Sequence, residues 1–204
     1  MHLLDQRILG IAILLLLGML VTVKRLTTGS ILDRPEGSLM VQIVNIFNLF
    51  FLLVVNPLAA ILLIARRLTA VDPTHVTIDA PSVLMVLETV GLAVYVMGYL
   101  LMAGALIALA HNYQLGGTAP RVEDRLVMEG PYRLIRHPMY TAAVSISLGL
   151  TCLIQSLAVL CVSGVYLVLI LLLIPVEERG LRQAYGDAYV AYQHESKKLI
   201  PFVC

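Results

Sequence analysis

The sequence contains few charged residues for its length. Of its 204 residues only 13% are charged, whereas 59% are hydrophobic and the mean hydropathy is +0.90. This composition excludes a soluble domain of this size and indicates an integral membrane protein. The net charge of +1 excludes a nucleic-acid partner, because no face could carry the dense basic surface that phosphate binding needs.

Cysteine is also scarce, and the loops that bind nucleotides in soluble proteins are missing. Cys152 and Cys161 lie in apolar runs and Cys204 lies apart from both, so we predict neither a disulfide nor a metal site. No stretch of the sequence alternates between apolar and polar residues as a β-strand does. The glycine-rich loop that follows a strand in soluble nucleotide-binding folds is also missing. These absences exclude the dinucleotide-binding folds of soluble enzymes.

Apolar runs dominate the chain and predict an all-α integral membrane protein with five transmembrane helices. We treat residues 1–204 as a single membrane domain, with three spans in residues 1–110 and the remaining two in residues 111–204. Only Gln155-Ser156 separates the last two spans, so they are expected to form a helical hairpin. The predicted spans are residues 8–23, 39–65, 82–110, 138–154 and 157–176.

Lysine and arginine are distributed unequally between the two sides of these spans. With the amino terminus outside, eleven of these cations lie on the inner side and three on the outer side. This asymmetry predicts a multi-pass protein of the inner membrane whose loop 111–137 faces the cytoplasm. The intramembrane carboxylate of Glu88 then lies near the outer face, away from that loop.

Residues Gly130–Tyr140, with the sequence GPYRLIRHPMY, concentrate most of the chemistry in the chain. Gly130-Pro131 indicates a turn, and Pro138 occupies the position of a first helical residue. The start of that helix would direct unpaired N–H groups, together with Arg136 and His137, toward one small volume. This arrangement predicts a pocket for a polar, partly anionic ligand, although a loop that only sets membrane orientation has the same charges.

Two acids, Glu177 and Glu178, follow the fifth span directly. Because the last two spans are antiparallel, these acids are expected to lie beside Arg136 and His137 at the cytoplasmic face. An apolar stripe at helical spacing follows them and predicts a cytoplasmic amphipathic helix over the mouth of the hairpin, or an interfacial anchor without a catalytic part. The stripe consists of Leu181, Tyr185, Ala188, Tyr189 and Tyr192.

Three amides recur at intervals of three near the inner end of the second span: Gln42, Asn45 and Asn48. Polar side chains inside a span usually face other helices. These amides either form hydrogen bonds across the bundle or line a passage for a substrate.

The two polar segments together resemble a known family. LVMEGPYRLIRHPMY, a hydrophobic hairpin and EERGLRQAYGDAYVAYQHESKKLIPF are similar to the isoprenylcysteine carboxyl methyltransferase family and its phospholipid methyltransferase relatives. The resemblance covers about residues 126–202. It implies an S-adenosylmethionine pocket that the carboxyl-terminal helix caps, with Arg136 and Glu177 as catalytic residues. The implied cofactor-binding residues are Gly130, Tyr132, Arg136, His137, Pro138, Tyr140, Glu177 and Glu178.

The resemblance leaves the methyl acceptor open. The family often has a Gly-x-x-Trp-Ser-like element before the first segment, whereas this chain has no tryptophan. The family also often has an arginine a few residues before the paired acids, where this chain has Leu172-Leu173-Ile174-Pro175. A lipid-like carboxylate acceptor, such as a prenylated cysteine from the bilayer, requires no general base. A phospholipid amine would need one, from His111, His137 or a glutamate.

Two other classes of protein share parts of the pattern. Membrane sterol and steroid reductases, which use NADPH, have a similar Arg-His-Pro-x-Tyr sequence, usually with Asn where this chain has Met139. A membrane scaffold or small-molecule carrier without catalytic activity is the third possibility.

Overall fold

The computed structural model describes residues 5–30, 39–112 and 124–199. Within these ranges the protein is helical and contains no β-strand, so the prediction of an all-α membrane protein with a carboxyl-terminal hairpin is confirmed. Four helices are long and apolar enough to cross a membrane, and the helix at Pro138–Ile154 is shorter. The helices are α1 (Gln6–Thr28), α2 (Leu39–Ile64), α3 (Pro81–Leu109), α4 (Pro138–Ile154), α5 (Leu157–Tyr185) and α6 (Asp187–Glu195).

Helix α2 contains one wide turn ahead of Asn56-Pro57. Residues Phe51–Val55 form a π-helical turn, and Asn56 separates this turn from Pro57, which cannot donate a backbone hydrogen bond. The side chain of Asn56 donates a hydrogen bond to the Phe51 carbonyl at 2.9 Å. An amide therefore satisfies one backbone acceptor of the irregular turn inside the apolar bundle.

Helices α3 and α4 pack antiparallel and very closely, because glycines line their contact. A Cβ at Gly149 would lie 2.6 Å from the backbone nitrogen of Tyr95, and a Cβ at Gly98 would lie 2.9 Å from the backbone nitrogen of Ile146. Small residues let helix backbones approach in membranes, where the hydrophobic effect does not drive helices together. This contact brings the start of α4 to the end of α3, and Pro131 packs against Gly104 there.

A buried hydrogen-bond network connects α2 with α3. The Tyr95 hydroxyl donates to Asn56 Oδ1 at 2.6 Å, and the Tyr99 hydroxyl lies 3.3 Å from that of Tyr95. All three side chains are fully buried. The fold thus gives these two phenols hydrogen-bond partners within the bundle.

Glu88 lies at the end of the bundle opposite the GPYRLIRHPMY segment. It lines a small pocket together with His75 and with Gln155, which ends α4. The His75 ring contacts the Ile154 carbonyl at 3.0 Å, so the loop before α3 packs on the hairpin turn. The structure agrees with the expectation that Glu88 and that segment lie at different faces.

The last span continues further than predicted. The fifth predicted span ends at residue 176, but α5 runs through Pro175 and both acids to Tyr185. Gly186, with φ of 53°, separates α5 from α6. The prediction of one amphipathic helix over Leu181–Tyr192 is therefore wrong: the last turns of α5 and the short α6 share the stripe, because a glycine with positive φ changes the chain direction between them.

Candidate functional site

The segment before α4 is a compact turn whose backbone is held at both ends. Gly130 has φ of 57°, a left-handed conformation that favours glycine, and it begins the 3₁₀ turn Gly130–Arg133. Pro138 is the first residue of α4, and His137 before it lies outside the α region, with φ of −121° and ψ of 58°. The turn chemistry of the sequence therefore predicted this local geometry correctly.

The carboxyl-terminal segment after α6 pairs with this turn. The Arg136 N–H donates to the Lys197 carbonyl at 2.7 Å, and the His137 N–H donates to the Lys198 carbonyl at 3.2 Å. In return the Lys197 N–H donates to the Leu134 carbonyl at 2.9 Å. Residues 134–137 and 197–198 thus form a short parallel backbone pairing, which the sequence did not predict.

Arg136 joins α5 to the end of α6. Its Nε donates to Glu178 Oε1 at 3.0 Å, and its Nη1 donates to the Gln193 carbonyl at 3.1 Å and to the Ser196 carbonyl. Only 9% of the Arg136 side chain and 8% of the Glu178 side chain are exposed. Arg136 therefore holds an acid of α5 and two main-chain carbonyls in one buried cluster.

His137 lies between the two acids of α5. Its Nε2 is 3.4 Å from Glu178 Oε1, and its Nδ1 is 3.6 Å from Glu177 Oε2. The ring of Tyr140, one turn into α4, stacks on the imidazole with centroids 5.7 Å apart. The structure thus brings together Arg136, His137 and both acids, as the antiparallel hairpin implied.

Helix α6 covers this cluster with aromatic side chains. The Tyr192 hydroxyl donates to the Tyr132 carbonyl at 2.5 Å, and the Tyr189 ring packs edge-on against Tyr192. Burial raises the pKa of Tyr192 to about 12 and also raises the pKa of Tyr189. Both phenols therefore stay protonated and remain hydrogen-bond donors at neutral pH.

Two buried oxygen atoms of this cluster have no hydrogen-bond partner among the residues that the structure describes. They are Glu177 Oε2 and the hydroxyl oxygen of Tyr189. A buried polar atom without a partner costs about 1 to 3 kcal/mol, so a fold rarely retains several at one place. A polar ligand between α4, α5 and α6 would satisfy such atoms.

The three predicted substrate amides lie apart from this cluster on the first half of α2. Asn45 is buried, and its Nδ2 has no hydrogen-bond partner in the described part of the chain; Gln42 and Asn48 are half-buried. That half of α2 packs against α5, where Phe47 stacks on Tyr166. The amides thus lie on the helix that borders α5.

Sequence reasoning did not identify Tyr166 or the segment 197–198 that pairs with residues 134–137. Tyr166 is the one tyrosine in the apolar run at the start of α5, which is a signal that could have singled it out. Lys198 gave no such signal, although its Nζ lies 3.9 Å from Glu178 Oε2. Among the described residues, no cluster of three or more His, Cys, Asp or Glu side chains could hold a metal ion.

Comparisons with known proteins by family model, by sequence and by structure each find similar proteins. The sequence model of the phospholipid methyltransferase family matches residues 86–188. Protein-S-isoprenylcysteine O-methyltransferase B of Arabidopsis thaliana is 29% identical over 115 residues, which cover 55% of this chain and 58% of that protein. The chain thus aligns with a little over half the length of this relative.

The third match is a solved structure, that of the eukaryotic intramembrane Ras methyltransferase ICMT, an isoprenylcysteine carboxyl methyltransferase. It superposes with a TM-score of 0.51 and 20% identity over 80% of this chain and 74% of that chain. At this identity the likeness concerns the fold alone. The family match includes α4, α5 and the turn before them, which are the elements that form the cluster described above.

Proposed function

Because the chain belongs to the phospholipid methyltransferase family, we propose that it transfers a methyl group from S-adenosylmethionine to a lipid-like acceptor in the membrane. We propose further that the acceptor is the carboxylate of an isoprenylcysteine-type compound. The observation that carries the proposal is the buried position of His137 between Glu177 and Glu178. This cluster lies within or beside the residues that the family model matches.

The buried atoms without partners support the proposal that this cluster holds the cofactor. Glu177 Oε2 can accept from the cofactor's amino or ribose groups, and the Tyr189 hydroxyl can donate to an acceptor atom. Gly130, Tyr132, Pro138 and Tyr140 would form the remaining wall, with Glu178 behind His137. The residues present therefore fit a ligand that carries both donors and acceptors.

The contacts of Arg136 support a positioning role for this residue. Its Nε and Nη1 donate to Glu178 and to two carbonyls of the segment around α6. That arrangement holds α6 over His137 and keeps Glu178 charged and oriented. Direct binding of the cofactor carboxylate by Arg136, and a catalytic role for Arg136 and Glu177, remain predictions.

The protein's own work in this reaction would be to position the reactants and exclude water. Bound S-adenosylmethionine supplies an electrophilic methyl group on a positively charged sulfur. Methylation of a carboxylate neutralises charge, so a dry site favours it and no general base is required. The buried side chains of Tyr189 and Tyr192 would cover the solvent-facing side of the cluster and so reduce access of water to the reacting groups.

The acceptor is proposed to enter from the bilayer along α2. Helix α6 covers one side of the cluster, and Gln42, Asn45 and Asn48 would border an opening on the side of α2 for an apolar chain with a polar head.

The description of the family favours a second candidate, a phospholipid N-methyltransferase. An amine acceptor would need a base, and the His137 imidazole lies 3.6 Å from Glu177 and 3.4 Å from Glu178. Membership of a methyltransferase family gives no support to the reductase alternative.

Binding and turnover measurements test this proposal. Isothermal titration of the purified protein in detergent is expected to show saturable binding of S-adenosylhomocysteine and no binding of NADPH. Labelled cofactor is then offered with N-acetyl-farnesylcysteine, with phosphatidylethanolamine and with short soluble acids. Turnover of the first acceptor is expected. Binding of NADPH alone would refute methyl transfer, and turnover of phosphatidylethanolamine alone would favour the N-methyltransferase.

We also propose that the cluster lies at the cytoplasmic face of the inner membrane. Eleven of the fourteen lysines and arginines lie on the same side of the predicted spans as the cluster. Single cysteines at Thr77 and at Gln183, both exposed, would report the two faces once Cys152, Cys161 and Cys204 are replaced by alanine. An impermeant thiol reagent added to intact cells is expected to label the cysteine at position 77 and not the one at position 183. Labelling of position 183 alone would reverse the orientation.

A further inference from the structure

Tyr166 has a buried hydroxyl that the fold does not satisfy. Its side chain is 1% exposed, and its hydroxyl has no hydrogen-bond partner among residues 5–30, 39–112 and 124–199. The two tyrosines in the interior of α3 differ in this respect, because Tyr95 and Tyr99 share Asn56 Oδ1. The bundle therefore provides partners for its other interior phenols and leaves this one for another group.

The Tyr166 ring is held in place by packing. It stacks on the Phe47 ring of α2 with centroids 5.1 Å apart and an interplanar angle of 11°. A ring fixed in this way loses little conformational freedom when its hydroxyl binds a ligand. The geometry is thus suited to a directed hydrogen bond.

The position of Tyr166 separates it from the polar cofactor groups. It lies eleven residues before Glu177 on α5, about 16 Å along the helix axis and toward the middle of the bundle. Tyr140 lies between the two regions, because its ring stacks on His137 and its hydroxyl lies near both Glu177 and Tyr166. Tyr166 therefore lies deeper in the bundle than the cluster and beside α2, the helix along which the acceptor would enter.

We infer that the Tyr166 hydroxyl donates a hydrogen bond to the head group of the methyl acceptor, and that this head group is a carboxylate. The inference rests on the proposed function. A carboxylate has lone pairs on two oxygens, so one oxygen can accept from the phenol while the other attacks. A neutral amine has a single lone pair, and a phenol that donates to it would block the attack.

The reaction that this contact supports is balanced without a proton. The free acceptor oxygen forms a bond to the methyl carbon as the carbon–sulfur bond breaks, and the electron pair of that bond goes to sulfur. The products are a neutral methyl ester and a neutral thioether. Tyr166 keeps its proton throughout and acts as a specificity-determining donor.

Tyr166→Phe tests the inference, because the change removes only the hydroxyl. Replacing an unsatisfied buried hydroxyl by hydrogen is expected to leave the unfolding temperature, measured without acceptor, unchanged or higher. The kcat/KM for N-acetyl-farnesylcysteine is expected to fall at least about tenfold, mostly through KM, while the affinity for S-adenosylhomocysteine stays within twofold. A tyrosine with a purely structural role would not separate these quantities.

Tyr95→Phe is the matched control, because it removes a hydroxyl that donates to Asn56 within the same bundle. This variant is expected to unfold at a lower temperature and to retain the parent's KM for the acceptor. If Tyr166→Phe keeps the parent's kcat/KM, if it loses cofactor affinity instead, or if it impairs only turnover of phosphatidylethanolamine, the inference is wrong and methyl transfer stands. A parent protein that binds no S-adenosylhomocysteine would overturn both.

Discussion

Glu178→Gln is expected to lower the free energy of unfolding by about 3 kcal/mol and to reduce S-adenosylhomocysteine affinity more than tenfold. The variant leaves the buried guanidinium of Arg136 without its charged partner, at a site where less than a tenth of either side chain is exposed. His137 and Lys198 lose the same carboxylate. Because Arg136 also holds the carbonyls of Gln193 and Ser196, the loss is expected to loosen α6 and open the cluster to water.

Glu177→Gln is the control for this effect, since the two acids are adjacent in sequence and differ in burial. The Glu177 side chain is 24% exposed and lies 3.6 Å from His137 without a hydrogen bond to it. This variant is expected to weaken cofactor binding while the unfolding temperature in detergent stays close to that of the parent. If both variants lose the same stability, the buried Arg136–Glu178 ion pair does not stabilise α6 in the way proposed here.

The double variant Arg136→Met, Glu178→Met separates stability from binding. A buried ion pair can be replaced by apolar side chains with little loss of stability, whereas a single buried charge cannot. The double variant is therefore expected to recover part of the stability that Glu178→Gln loses, since the carbonyls of Gln193 and Ser196 still lose their donor. It is expected to bind S-adenosylhomocysteine more than tenfold more weakly than the parent. Recovery of cofactor affinity as well would remove both residues from the proposed site.

Gly149→Ala is expected to destabilise the bundle by about 2 to 3 kcal/mol, because the added Cβ would overlap the backbone of α3. The Cβ would lie 2.6 Å from the Tyr95 nitrogen and 2.7 Å from its Cα, and backbone atoms of a packed helix cannot rotate away. Helices α3 and α4 would have to separate. The start of α4 would move with them, so cofactor affinity is expected to fall as well.

Gly164→Ala on α5 is the matched control. It is also a helical glycine, but apart from the backbone of its own helix no atom of the described residues lies within 4 Å of its added Cβ. Alanine favours a helix over glycine by up to about 1 kcal/mol, so this variant is expected to unfold at the same or a higher temperature. Thermal unfolding in one detergent compares the two variants directly. A Gly149→Ala protein as stable as Gly164→Ala would show that α3 and α4 pack less closely than the structure indicates.

Several features followed from the sequence because they depend on neighbours along the chain. Apolar runs predicted the membrane helices, since each run must satisfy its own backbone hydrogen bonds within the bilayer. Gly130-Pro131 and Pro138 predicted the turn and the start of α4, because both residue types restrict the local backbone. The short connection at Gln155-Ser156 required an antiparallel hairpin, and this placed Arg136 and His137 beside the two acids.

Other features were decided only by contacts between residues far apart in the chain. The sequence contains the glycines of α3 and α4, yet only the packed structure shows that Gly91, Gly98 and Gly149 meet the other helix. Arg136 could be placed near Glu178 from the sequence, but its bonds to Gln193 and Ser196 depend on where α6 lies. In the same way, the sequence places Tyr166 in an apolar run and cannot show that its hydroxyl is buried without a partner among the described residues. Hydrogen-bond satisfaction is a property of the whole three-dimensional neighbourhood, whereas hydrophobic pattern and turn chemistry are properties of a few consecutive residues.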